Sequence, residues 1–124
     1  MGRSHGQPRN GAVVVDVADT LVDSGDGVHW TLDQPGSDLN VNLVRLDPGH
    51  VAEEHVNDEV DLLIVTVGGD GVIEVDGSGF AVHDSVLIHV PRGASRRIEA
   101  GSAGLGYVTI HRRRSLTIGR PRPA

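Results

Sequence analysis

Between residues 48 and 69 the chain reads PGHVAEEHVNDEVDLLIVTVGG, where His50 and His55 stand among Glu53, Glu54, Asp58, Glu59 and Asp61 ahead of an apolar run. Imidazole and carboxylate hold iron, manganese, nickel or zinc, and an imidazole steered by a carboxylate is also a general base. The stretch therefore admits a metal cage or acid–base chemistry. Calcium is a poorer fit, because the acids lack the alternating Asp/Asn spacing and central Gly of a calcium loop. GGDG at 68–71 reads as a hairpin turn rather than a phosphate cradle, since no helix follows it.

Composition removes several chemistries. The absence of cysteine excludes disulfides, thiolate metal sites and a thiol nucleophile, and all 11 basic residues are arginine, which excludes a Schiff-base lysine. No apolar run approaches the ~20 residues of a membrane span, and MGRSHGQPRN is no secretion leader, so no membrane partner and a cytoplasmic location are expected. Net charge is −6, yet residues 91–124 carry eight Arg against one Glu. A basic segment can bind nucleic acid, but RRR at 112–114 has no interleaved aromatics, and the expectation is a solvated tail without a nucleic-acid partner.

The elements that must position these groups are short and rich in Val and Ile: AVVV (12–15), VHWTL (28–32), VNLVRL (41–46), DLLIVTV (61–67), GVIEV (71–75), FAV (80–82), SVLIHV (85–90), RRIE (96–99) and LGYVTIH (105–111). Gly- and Asp-rich clusters such as DSGDG, GGDG, DGSG and AGSAG separate them as turns. A single turn of helix fits VVDVADTLVDSG (14–25). Short strands with a turn every eight to twelve residues predict an all-β sandwich or barrel. Residues 1–10 are expected to form a disordered N-terminal arm, 11–116 a single domain, and 117–124 a flexible basic C-terminal tail. In LGYVTIH, alternation puts Leu105, Tyr107, Thr109 and His111 on one face.

Gly49, His55, Asn57, Asp61 and Gly68 follow the spacing GxxxxxHxHxxxExxxxxxG, and Pro91, Gly93 and Arg96 follow GxxxxxPxGxxHxxxN, with Ser85 at its first Gly and Ala100 at its Asn. Over about residues 28–111 the chain thus resembles the cupin superfamily. The resemblance implies a double-stranded β-helix, a cupin jelly-roll barrel with a ligand or metal inside, commonly in a homodimer. Positions 55, 57, 61 and 96 would be the family's inward His, His, Glu and His.

Here they are His55, Asn57, Asp61 and Arg96. Asn offers a neutral amide oxygen, Asp reaches one methylene less far than Glu, and Arg is a permanent cation with no lone pair. A guanidinium at the fourth position sets a like charge beside any metal, worth ~4 kcal/mol of repulsion at ~4 Å and an effective dielectric near ~20. The expectation is a pocket without a cofactor: an Arg96–Asp61 ion pair with His55 and Asn57 hydrogen-bonded around it. The alternative keeps a divalent transition metal (Fe, Mn, Ni or Zn) on His55 and Asp61, joined by His111 or His89.

Three functions answer to these arrangements. One is a small-molecule-binding barrel in which His55, Asn57, Asp61, Arg96 and His111 hold an anionic or carboxylate-bearing ligand, with Leu63 and Val65 as apolar lining. In it, His55 tuned by Asp61 could serve as the catalytic base of an isomerase or lyase step. The second is a metal-dependent, dioxygenase-like enzyme; the third is a non-catalytic structural or regulatory module that dimerises. His50 and His83 are expected to be solvated, Trp30 to be core or barrel lid, and Glu53, Glu54, Asp58 and Glu59 to form an exposed rim.

Overall fold

The computed structural model describes residues 11–113, so the expected arm at 1–10 and tail at 117–124 lie outside the described residues. In chain order the elements are α1 (Val17–Thr20), β1 (Gly27–Thr31), β2 (Leu39–Leu46), β3 (Val51–Val56), β4 (Leu62–Val75), β5 (Ser78–Val82), β6 (Leu87–Val90) and β7 (Ser95–Arg112). No helix among the described residues is long and apolar enough to cross a membrane.

β4 and β7 are long enough to serve in two layers. Residues 62–65 of β4 pair with β6 and residues 71–75 with β5. Similarly, residues 105–112 of β7 pair with β2, and its first half pairs with β3. The two long strands pair with each other antiparallel from Leu63↔Ile110 to Val75↔Arg96. One layer is therefore β1-β2-β7-β4-β6 and the other β3-β7-β4-β5. Their inner faces share a core that includes Leu46, Ile64, Ile73, Ile98 and Leu105. This is an all-β jelly roll of the expected class.

The GGDG and AGSAG segments are not turns between strands. They lie inside β4 and β7, where the pairing register shifts between Thr66 and Gly68 and again between Gly69 and Gly71. Glycine is needed there for close backbone passage. A Cβ on Gly69, whose φ is +84°, would come within 2.0 Å of the Gly104 carbonyl oxygen, and one on Gly71 within 2.3 Å of that of Glu99. Glycine and local bulges let one strand pass from layer to layer without breaking.

Two further expectations are corrected. Residues 12–15 form no strand; they lead into the four-residue helix α1, capped by Asp16, whose side chain accepts from the Asp19 amide at 2.8 Å. The lining pair Leu63 and Val65 is one residue out of phase: the buried face of β4 is Leu62, Ile64 and Thr66. In a run as uniformly apolar as DLLIVTV both parities look inward, and pairing with β7 and β6 sets the phase.

Candidate functional site

His55 is exposed, yet it reaches the rim of a pocket because β3 is bulged. Ala52 pairs with Ile98 and His55 with Arg96, so β3 uses one more residue than β7 between the two contacts. A regular ladder would bring Glu54 opposite Arg96; the extra residue brings His55 there instead. Ala52, Glu53, His55, Arg96 and Ile98 form one wall of a pocket of about 310 Å³. Val28, Asn42, Val44, Tyr107 and Thr109, from β1, β2 and the second half of β7, form the other.

β1 is also irregular between Val28 and Trp30, so Val28 pairs with Val44, while Trp30 pairs with Leu43 on the opposite face of the sheet. Neither Trp30 nor His29 lines the pocket. The His29 ring instead donates from Nε2 to the Gly25 carbonyl at 2.7 Å.

The two walls differ in chemistry. Arg96 brings a cation whose Nη1 is buried, beside His55. Opposite, a neutral ladder crosses the strands: the Thr31 hydroxyl donates to Asn42 Oδ1 at 2.7 Å, and Asn42 Nδ2 donates to Asn40 Oδ1 at 2.9 Å and to Thr109 Oγ1 at 3.4 Å. Tyr107 is only 4% exposed. Burial pushes its hydroxyl up to about 12, with the Arg96 charge acting in the other direction. Asn42, Tyr107 and Thr109 extend the expected site. Alternation in VNLVRL and LGYVTIH carried that signal, since Asn42 shares a face with Val44, and Thr109 with Tyr107.

The other motif residues do not join them. Asn57 is buried, but its Oδ1 accepts from the amides of Glu59 at 3.0 Å and Val60 at 3.3 Å, so it fixes the turn into β4. Asp61 is exposed. It accepts from the Arg92 amide at 2.9 Å and from His89 Nε2 at 3.0 Å, and it borders a separate polar hollow with Glu59, Arg92 and Arg112. Its carboxyl is held below the ordinary range by the Arg92 amide first and His89 second. The expected Arg96–Asp61 ion pair and the tuning of His55 by Asp61 are therefore not formed. The reason is that the β3–β4 turn ends at Asp61 before the chain re-enters the barrel. His111 follows the parity of Tyr107 and Thr109 but lies at the strand end, outside the pocket lining, donating from Nδ1 to the Arg112 carbonyl at 2.8 Å.

The donor set does not fit the metal that the fold implies. Of the four motif positions, one is a cation, one is committed to two backbone amides and one faces outward, leaving only His55 as a ligand. The alternative triad fails too, because Asp61 meets His89 and neither His55 nor His111. Among the described residues, three ligating groups converge only at Asp26, Asp47 and His50, outside the pocket. His50, expected to be solvated, is exposed but also ion-paired to Asp26 through Nδ1. Asp47 accepts from the Gly25 amide at 2.8 Å and faces Arg45 Nε at 3.4 Å.

No family model and no curated protein matches the sequence. Solved structures do match. A Thermus thermophilus protein shares 15% identity over 82% of this chain and 98% of its own, with a TM-score of 0.69. A cupin protein from Bacteroides fragilis shares 17% identity over 82% and 88%, with a TM-score of 0.64. A predicted oxalate decarboxylase from Thermotoga maritima shares 19% identity at a TM-score of 0.57, and this chain spans 64% of its length. At such identities the likeness is one of fold, and it agrees with the two-layer topology and with both spaced motifs: the chain has the cupin fold.

Proposed function

We propose that the protein is a small-molecule-binding cupin whose pocket takes an anionic, carboxylate-bearing ligand on Arg96 and His55 without a metal cofactor. The observation that carries this reading is the His55↔Arg96 cross-strand pair inside the 310 Å³ pocket. A guanidinium presents paired donors matched to a carboxylate, and the burial of Arg96 Nη1 strengthens what it donates. A pocket this small suits a metabolite rather than a polymer. Acid–base turnover would run through His55 without help from Asp61. Calorimetric titration with small carboxylates tests the reading: Arg96→Met should abolish binding and His55→Ala should weaken it about tenfold. Full affinity in both variants would remove the site.

The homodimer is part of the same proposal. Among the described residues β5 and β6 each pair only with β4, and between them lies an apolar groove of about 520 Å³ that includes Phe80, Leu87 and Ile88. Leu87 is 63% exposed and Phe80 49%. Unpaired edges beside an apolar groove favour self-association. Sedimentation should give a dimer that Leu87→Glu dissociates; a wild-type monomer at high concentration would refute it.

A further inference from the structure

The pocket holds a finer selection than charge, and it rests on the anion-binding reading above. The two halves of β7 meet at the crossing between Ala100 and Leu105, where its register with β4 breaks, so residues equally far from the middle of that segment on either side stand at similar depth in opposite layers. Ile98 and Tyr107 lie nearer the crossing, with Val44 and Ala52 as their register partners in β2 and β3. Arg96 and Thr109 lie farther out, and Thr109 pairs with Asn42. A ligand on Arg96 therefore faces the Asn42–Thr109 ladder across the pocket, above a largely apolar floor. Packed layers are ~10 Å apart, and the side chains reaching in from both leave only a few bonds of ligand between them.

The ladder has a direction. Asn42 Oδ1 accepts from Thr31, and Asn42 Nδ2 donates to Thr109 Oγ1. The Thr109 oxygen thus spends one of its two lone pairs within the ladder, and its proton remains to be offered to a ligand. On the facing wall Arg96 is donor-only, and on the ladder's own wall Tyr107 holds its proton throughout the neutral range. The acceptor of full charge in the lining is Glu53, which is exposed.

We propose that the pocket selects a short oxo- or hydroxy-carboxylate, its carboxylate on Arg96 and His55 and its carbonyl or hydroxyl oxygen accepting from Thr109. A plain fatty acid leaves the Thr109 donor without an acceptor. An amino acid brings an ammonium, which has no lone pair for the Thr109 proton and must give up its hydration in a pocket whose buried charge is the Arg96 cation.

The test is calorimetric titration of the full chain with butanoate, β-hydroxybutanoate, γ-hydroxybutanoate and γ-aminobutanoate at neutral pH. At least one hydroxy acid should bind about tenfold tighter than butanoate, the equivalent of one good hydrogen bond. γ-Aminobutanoate should bind most weakly. Thr109→Val, which keeps the shape and β-branching, should reduce the hydroxyl preference, taken as the ratio of the two affinities in the same variant, to within about twofold, while Thr109→Ser should restore it. Equal affinity for hydroxylated and plain acids, a preference for the amino acid, or a hydroxyl preference that survives Thr109→Val overturns the inference. If butanoate binding still depends on Arg96 in those cases, the anion site stands and only the selection falls. If no acid binds, both fall.

Discussion

Alkaline titration isolates one residue of the pocket. The chain has no lysine, no cysteine and a single tyrosine, Tyr107. Between the range of the α-amino group and that of arginine, no other side chain titrates. Burial raises the Tyr107 hydroxyl from 10.0 to about 12. Below the unfolded value both states keep the proton, and the contribution to stability is complete. Between the unfolded and folded values only the unfolded chain releases it, so stability falls by about 1.4 kcal/mol per pH unit. Two units integrate to roughly 2.7 kcal/mol, a loss that a domain of ordinary stability, about 5–15 kcal/mol, survives. Urea unfolding at a series of alkaline pH values should show this slope, and Tyr107→Phe should flatten it. The phenolate absorbance of the folded protein, reporting a single group, should rise with a midpoint near 12. A midpoint at the ordinary tyrosine value, or a slope that persists in Tyr107→Phe, would refute the burial of this hydroxyl in the pocket.

Other outcomes follow from the strand crossing and the turns. Gly71→Ala should lower stability by at least ~1–3 kcal/mol, because its Cβ would meet the Glu99 carbonyl at 2.3 Å; an unchanged melting temperature would show that the strands cross less closely. Ser85 has a φ of 65° at the position where the cupin motif has Gly. Ser85→Gly should therefore raise the urea midpoint by the equivalent of ~1 kcal/mol, and a lower midpoint would count against that geometry. His50 is raised above 6.5, chiefly by its hydrogen bond to Asp26, and Asp26 is lowered below 3.8 by the Asp47 amide first and His50 second. The His50 contribution to stability is thus full below 6.5 and lost as pH rises through its raised folded value, whereas that of Asp26 is present above 3.8 and lost as pH falls through its lowered one. NMR titration should find the His50 midpoint above 6.5, returning toward that value in Asp26→Asn; no difference between the two proteins would dismiss the pair.

Much of the barrel was legible in the chain. Val- and Ile-rich runs between Gly and Asp clusters specify strands and turns locally, and the gaps around His55 and Pro91 carry the cupin spacing. Arg96 could be read as incompatible with the usual metal from its side chain alone, since a permanent cation donates no lone pair wherever it sits. Its place in the pocket opposite His55 also agrees with the motif.

What only the tertiary structure decided is phase and company. His55 shares the pocket with Arg96 because one extra residue in β3 shifts the register. Leu63 faces outward because pairing with β6 and β7 chose between two equally apolar parities. Asp61 went to His89 and the Arg92 amide, and Asn57 to the amides of its own turn, so the expected polar cluster of four residues became the pair His55 and Arg96. Asn42 and Thr109, 67 residues apart in the chain, entered the site from strands that read as ordinary sheet. Residue types fix which bonds a side chain is able to make. Bulges, strand crossings and long-range pairing fix which partner is within reach, and those are settled by the packing of the whole chain rather than by any local stretch of it.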